Sequence, residues 1–127
     1  MFHIKSTPKS VQTIINDLTA AAEKHQFGVL CEHNLRQTMH RKGVEFAHRV
    51  RVLEICNPHH AAAILNEDIR VNLALPCRIG VWEENGQTMV GTMLPIQMLL
   101  AFGDSPTMAE TARQVEDAML AIIDDAI

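Results

Sequence analysis

Cys77-Arg78-Ile79-Gly80-Val81-Trp82-Glu83-Glu84-Asn85-Gly86-Gln87-Thr88-Met89-Val90-Gly91-Thr92-Met93-Leu94 contains two short strand-like runs joined by Asn85-Gly86. A tight two-residue hairpin needs positive φ at both central positions, and Asn-Gly tolerates that better than most pairs. The stretch therefore reads as strand Cys77–Glu83, a turn, and strand Gln87–Leu94. The two strands are antiparallel, and the rest of the chain must cover the sheet they begin.

Three Ser/Thr/Asn-Pro pairs mark where that cover starts. A capping side chain followed by proline at the first helical position satisfies one orphan amide and removes another. Ser105-Pro106 opens the last helix, whose apolar stripe is Met108, Ala112, Val115, Met119, Ile122 and Ile123. Asn57-Pro58 opens a second helix through Ala61, Ala62, Ala63, Ile64 and Leu65. Thr7-Pro8 predicts a third, with Val11, Ile14, Ile15, Leu18 and Ala22 at helical spacing until Gly28 ends the run.

Strands fill the remaining segments. Met1–Ser6 alternates Phe2 and Ile4 with His3 and Lys5, Val29–His33 is a second strand, and Glu45–Cys56 reads as a long third strand. Asn34–Gly43 is a polar loop or short helix. The order is β-α-β-β-α-β-β-α, an α+β domain spanning residues 1–127 with helices on one face of an antiparallel sheet. Pro95–Phe102 is too apolar for a solvated loop. It is expected to cover a cavity, pack under the last helix or bury against a second subunit, and a homodimer is expected.

The totals exclude some functions. A net charge of −4 opposes nucleic-acid binding, and the basic cluster Arg36–Arg51 alternates with apolar residues as a solvated strand face would. No apolar run approaches the ~18 residues that span a bilayer. The N-terminus lacks a signal-peptide layout, which favours a cytoplasmic location. Three cysteines, an odd number, fit a reducing compartment. There is no Gly-rich phosphate loop, Ser nucleophile elbow, HExxH or close CxxC.

The candidate chemistry lies in Cys56-Asn57-Pro58 and Leu75-Pro76-Cys77. Cys56 ends one strand at a capped helix start, where amides and the helix dipole would lower a thiol pKa. Cys77 begins the next strand, so antiparallel pairing brings both thiols to one edge of the sheet. Cys56 is the expected nucleophile and Cys77 the resolving thiol or second ligand, for redox, sulfur or soft-metal handling.

The competing explanation is packing. Strand alternation sets Cys31 with Phe27 and Val29, Cys56 with Val50 and Val52, and Cys77 with Ile79 and Val81, all toward the helix-covered side. Free cysteine is commonly buried as a small hydrophobe. A non-catalytic module that binds a small apolar ligand, or serves as an interaction or dimerisation domain, is the alternative function.

Cys31 is expected to pair near His48, roughly 26 Å from Cys56 at strand rise. Cys31 and His33 share a strand face, but two ligands fall short of the usual four, and no metal site is assigned. His59 and His60 read as solvent-facing residues of a helix start, where the dipole disfavours a charged imidazole. An enzyme using His33 or His48 as a base lacks a partner nucleophile. Met89, Met93, Met98, Met108 and Met119 read as core filling. Glu116, Asp117, Asp124 and Asp125 read as solubilising charge.

At Gly28-Val29, Lys42-Gly43, Cys56-Asn57-Pro58 with Ala61 and Leu65, Leu75-Pro76-Cys77 with Val81, and Gly86, the chain resembles the bacterial and archaeal Domain of Unknown Function 302 family. The resemblance implies a TATA-binding-protein-like fold: a curved antiparallel sheet carrying helices, commonly dimeric. It implies no DNA binding and no established activity, cofactor or ligand. Many members carry other residues where Cys56 and Cys77 stand, so the thiols belong to one branch.

Overall fold

The computed structural model describes residues 1–127. Five strands form one antiparallel sheet: β1 (Phe2–Thr7), β2 (Gly28–Asn34), β3 (Val50–Cys56), β4 (Cys77–Glu84) and β5 (Gln87–Met93). Their spatial order is β1-β5-β4-β3-β2. The β4–β5 hairpin turns at Asn85 and Gly86, with φ of 52° and 78°. Both values are positive, as the Asn-Gly reading requires.

The helices are α1 (Val11–Lys24), α2 (Leu35–Arg41), α3 (Pro58–Glu67), α4 (Pro95–Leu99) and α5 (Pro106–Ala126), with 3₁₀ turns at Ile69–Ala74 and Leu100–Phe102. β1 and β2 are consecutive in sequence yet sit at opposite edges, so α1 crosses the whole sheet between them. Ile14 and Leu18 of α1 and Met119, Ile122 and Ile123 of α5 pack on Leu53, Ile55, Ile79, Val81 and Val90. All ten are fully buried. At about 1.5–3 kcal/mol per large apolar side chain, this contact dominates the fold energy. The α+β class with helices on one sheet face is as the sequence implies.

Local chemistry explains the boundaries. Asn57 Oδ1 accepts from the amides of His59 and His60 at 2.9 and 3.2 Å, with Pro58 and Pro106 each opening a helix. Ser105 Oγ accepts from the Met108 amide at 3.1 Å. Thr7 does not cap α1. It still pairs with Thr88 in the β1–β5 ladder, and the capping oxygen is that of Ser10, which accepts from the Thr13 amide at 3.1 Å. The third strand starts at Val50 rather than Glu45, because residues 42–49 form a turn and irregular chain after α2.

Pro95–Leu99 is helical and packs under α5, one of the three placements expected for this apolar segment. Leu99 is buried with Ile64, Val71, Met108 and Ala112 in a second, smaller core beyond the end of the sheet. Glu116 of α5 accepts from the Ile96 amide at 3.4 Å.

Asn57→Ala removes two cap bonds from a buried side chain. We expect a loss of about 1–2 kcal/mol in chemical denaturation, with Asn57→Asp retaining most of the stability.

Candidate functional site

The sheet face opposite α1 and α5 has no helix packed over its centre, and the register names its residues. One cross-strand row runs Cys31, Glu54, Arg78; the next runs His33, Val52, Gly80, Gly91, Ile4; a third runs Val50, Trp82, Met89, Ser6. Phe2, paired with Met93, flanks them at the β1 edge. Phe2, Ile4 and Met93 are 67%, 49% and 44% exposed, values that mark a bare apolar surface. Phe2, Ile4, Val52, Arg78, Trp82 and Met93 wall a groove of about 270 Å³.

Gly80 and Gly91 face each other across β4 and β5. A Cβ on Gly91 would lie 3.2 Å from the Trp82 ring, and one on Gly80 would lie 3.6 Å from it. The indole thus lies against two glycines, and its Nε1 donates to Glu84 at 3.0 Å. Sequence reading missed this face, although the signal was present: Gly80, Trp82, Met89, Gly91 and Met93 alternate with the buried set. A hairpin apolar on both faces needs two covers.

Cys31, His33 and Glu54 form a polar corner at the β2 side of the same face. The β2–β3 register slips between Val29 and Cys31, leaving Leu30 as a bulge residue. Cys31 therefore leaves the Val29 face, stands exposed, and pairs with Glu54 rather than lying near His48. Glu54 is two residues from Cys56 on β3, so the large separation expected between Cys31 and Cys56 does not hold. The error followed from starting the third strand too early. His33 Nε2 and a Glu54 carboxylate oxygen are hydrogen-bonded.

Cys56 and Cys77 do come together. Both line a cavity of about 20 Å³ with Phe27, Ile55, His60, Ile64, Leu75 and Leu99. That volume accommodates about one water. Pro95 and Met98 line a separate, more open pocket of about 270 Å³ with Leu75, Pro76, Cys77 and Met93, so the apolar segment does border a cavity as expected. Cys77 packs on the helix side with Ile79 and Val81, as parity implies. Val50 and Val52 instead face the open side, and Cys56 turns toward the cavity only as the last residue of β3.

The expected lowering of the Cys56 pKa is absent. Burial pushes its thiol above its ordinary value. Asn57, and not the thiol, accepts from the His59 and His60 amides at the helix start. Burial, and secondarily repulsion from a charged Cys56, push Cys77 up to about 11.

Of the neighbouring histidines, His60 lines the cavity with its ring 6.2 Å from Phe27, and His59 is exposed. The late carboxylates do more than solubilise. Asp124 pairs with Lys5 of β1 at 3.1 Å, and Asp125 takes a 2.8 Å hydrogen bond from His25 that holds its pKa low.

The family model described as Domain of unknown function DUF302 matches residues 2–126. The chain belongs to this family. A crystal structure of an uncharacterized conserved DUF302 protein from Bacillus stearothermophilus has a TM-score of 0.90 to it at 30% identity. The likeness covers 99% of this chain and 98% of the Bacillus one. None of the curated proteins is significantly similar to it.

In this DUF302 chain the glycine pair makes the open face testable. A Cβ on Gly91 would meet Ile4 Cγ1 at 3.0 Å and the His3 carbonyl at 3.2 Å, whereas one on Gly80 makes only ordinary contacts. Gly91→Ala should cost about 1–3 kcal/mol by overpacking and shift the emission of Trp82. Gly80→Ala should leave both unchanged within about 0.5 kcal/mol, as substitutions without a specific clash do. Thermal unfolding followed by Trp82 fluorescence, the only tryptophan signal in the chain, checks both.

Proposed function

We propose that the protein is a non-catalytic interaction module that forms a homodimer through the open sheet face. The observation carrying this reading is the bare apolar surface of Phe2, Ile4, Val52, Trp82 and Met93. An antiparallel sheet can keep one face in water, but that face is then normally polar. Five strands at ~4.8 Å spacing and some seven residues at ~3.4 Å rise give a flat face of about 550 Å². With side-chain relief this approaches the roughly 800 Å² per partner of a standard interface, so a second copy is an occupant of the right size.

Light scattering on the reduced chain should give twice the 14.2 kDa chain mass. Ile4→Arg, which places a charge in the apolar row, should give the monomer and a red-shifted Trp82 emission. A wild-type chain that stays monomeric at micromolar concentration sinks the homodimer. Under that outcome, an emission change on adding a small apolar probe would favour a ligand groove instead.

A second reading rests on Cys56 and Cys77 lining one cavity. Thiol chemistry (redox, sulfur or soft-metal handling) would begin at half-buried Cys56, with Cys77 as the second thiol. Burial disfavours the thiolate of both, so the pair suits a soft cation that displaces the protons better than unassisted nucleophilic attack. Alkylation at graded pH should modify Cys56 before Cys77, with Cys77 reacting only as pH approaches about 11. Both rates rise with pH, because only the deprotonated thiol reacts. Equal labelling of the two, or none of either without denaturant, removes this reading.

A further inference from the structure

We propose that Cys31, His33 and Glu54 form a binding site for a zinc-type divalent cation, with a fourth position open to water or an anion. The sulfur, ring nitrogen and carboxylate donors all lie within 4.8 Å of one another. Around an ion at zinc bond lengths of 2.0–2.3 Å, tetrahedral donors stand about 3.4–3.7 Å apart. Side-chain rotation alone spans the difference, because the backbone of both strands is held by the β2–β3 ladder. A thiolate, imidazole and carboxylate together match zinc, which takes all three donor types.

The bulge is what assembles this set. Val29 pairs with Ile55, so an uninterrupted ladder would set Leu30 opposite Glu54. The extra residue instead sets Cys31 there and His33 opposite Val52, and Leu30 is left 63% exposed. Bulges re-aim side chains at functional sites, and this one brings both the Cys31 thiol and the His33 ring to the face of Glu54. A surface ion pair accounts for His33 and Glu54 but not for the thiol brought into their reach.

The surroundings favour the same occupancy. The thiolate and carboxylate offset the charge of the ion, and His33 offers a neutral ring nitrogen once its hydrogen bond to Glu54 is exchanged for the metal. Arg78, next in the same cross-strand row, makes no ion pair. Its charge favours an anionic fourth ligand such as hydroxide or a carboxylate. Cys31 is exposed and His33 only half-buried, so the position is open to solvent.

This site lies at the β2 side of the same open face, beside the apolar patch of the proposed homodimer, and away from the Cys56/Cys77 cavity. Its test reads the bound ion and not the oligomeric state. Titrating the reduced 127-residue chain with Co²⁺ should saturate at one ion per chain. Four-coordinate d–d bands and a thiolate-to-cobalt charge-transfer band should appear, and Zn²⁺ should displace the ion. Cys31→Ser should abolish the charge-transfer band. His33→Gln and Glu54→Gln should each weaken binding at least 100-fold, beyond the ~10–100-fold that outer-shell changes cost. Cys56→Ser should bind as wild type does, and circular dichroism should show all variants folded. A charge-transfer band that survives in Cys31→Ser, one lost in Cys56→Ser, or no saturable binding by the folded wild-type chain overturns the proposal.

Discussion

Packing of the α1 and α5 stripes on Leu53, Ile55, Ile79, Val81 and Val90 is the contact on which the remaining structure depends. Two long amphipathic helices on one side supply most of the large core, and the inner face of the sheet nearly all of the rest. To bring α1 there, the chain carries it from β1 at one edge to β2 at the other. The same arrangement leaves no long helix for the second side. The bare face is therefore a direct result of how the core is built, and its apolar half is the kind of surface on which partners or ligands dock.

That face is organised rather than uniform. Its β1 half is apolar, with the Trp82 ring lying against the paired glycines Gly80 and Gly91. A side chain at Gly91 would crowd both the indole and Ile4, whereas one at Gly80 would only touch the ring. Its β2 half carries a thiol, an imidazole and a carboxylate. The thiols of Cys56 and Cys77 belong to neither half. They sit at the end of the sheet around a cavity about as large as one water, in surroundings that keep them protonated.

Signals confined to a few residues were legible. Asn85-Gly86 implied the hairpin, Asn57-Pro58 and Ser105-Pro106 implied two helix starts, and the heavy apolar content of Pro95–Phe102 implied burial. Thr7-Pro8 has the same local form, yet pairing with Thr88 holds Thr7 in the sheet and moves the cap to Ser10. A long-range ladder outranked a local preference. The placement of Cys31 failed for a related reason: strand parity assumes an unbroken register, and one extra residue reverses every later side chain. At Cys56 the helix start offers the thiol no free amide, because Asn57, the residue identifying the cap, accepts from those of His59 and His60. Neither the bulge nor the Cys31–His33–Glu54 grouping is visible along one strand, since the third donor comes from its neighbour.

The bulge at Leu30 also bears on how the protein behaves in a crowded solution. β2 is an edge strand, and a regular edge offers a row of free amides and carbonyls on which another extended chain can add. An extra residue breaks the spacing of that row and increases the local twist. The hydrogen-bonding edge of β2 is thereby mismatched to an incoming strand, while its side chains remain on display. Open-ended strand addition is therefore disfavoured at this rim, where the strand offers side chains but no regular ladder.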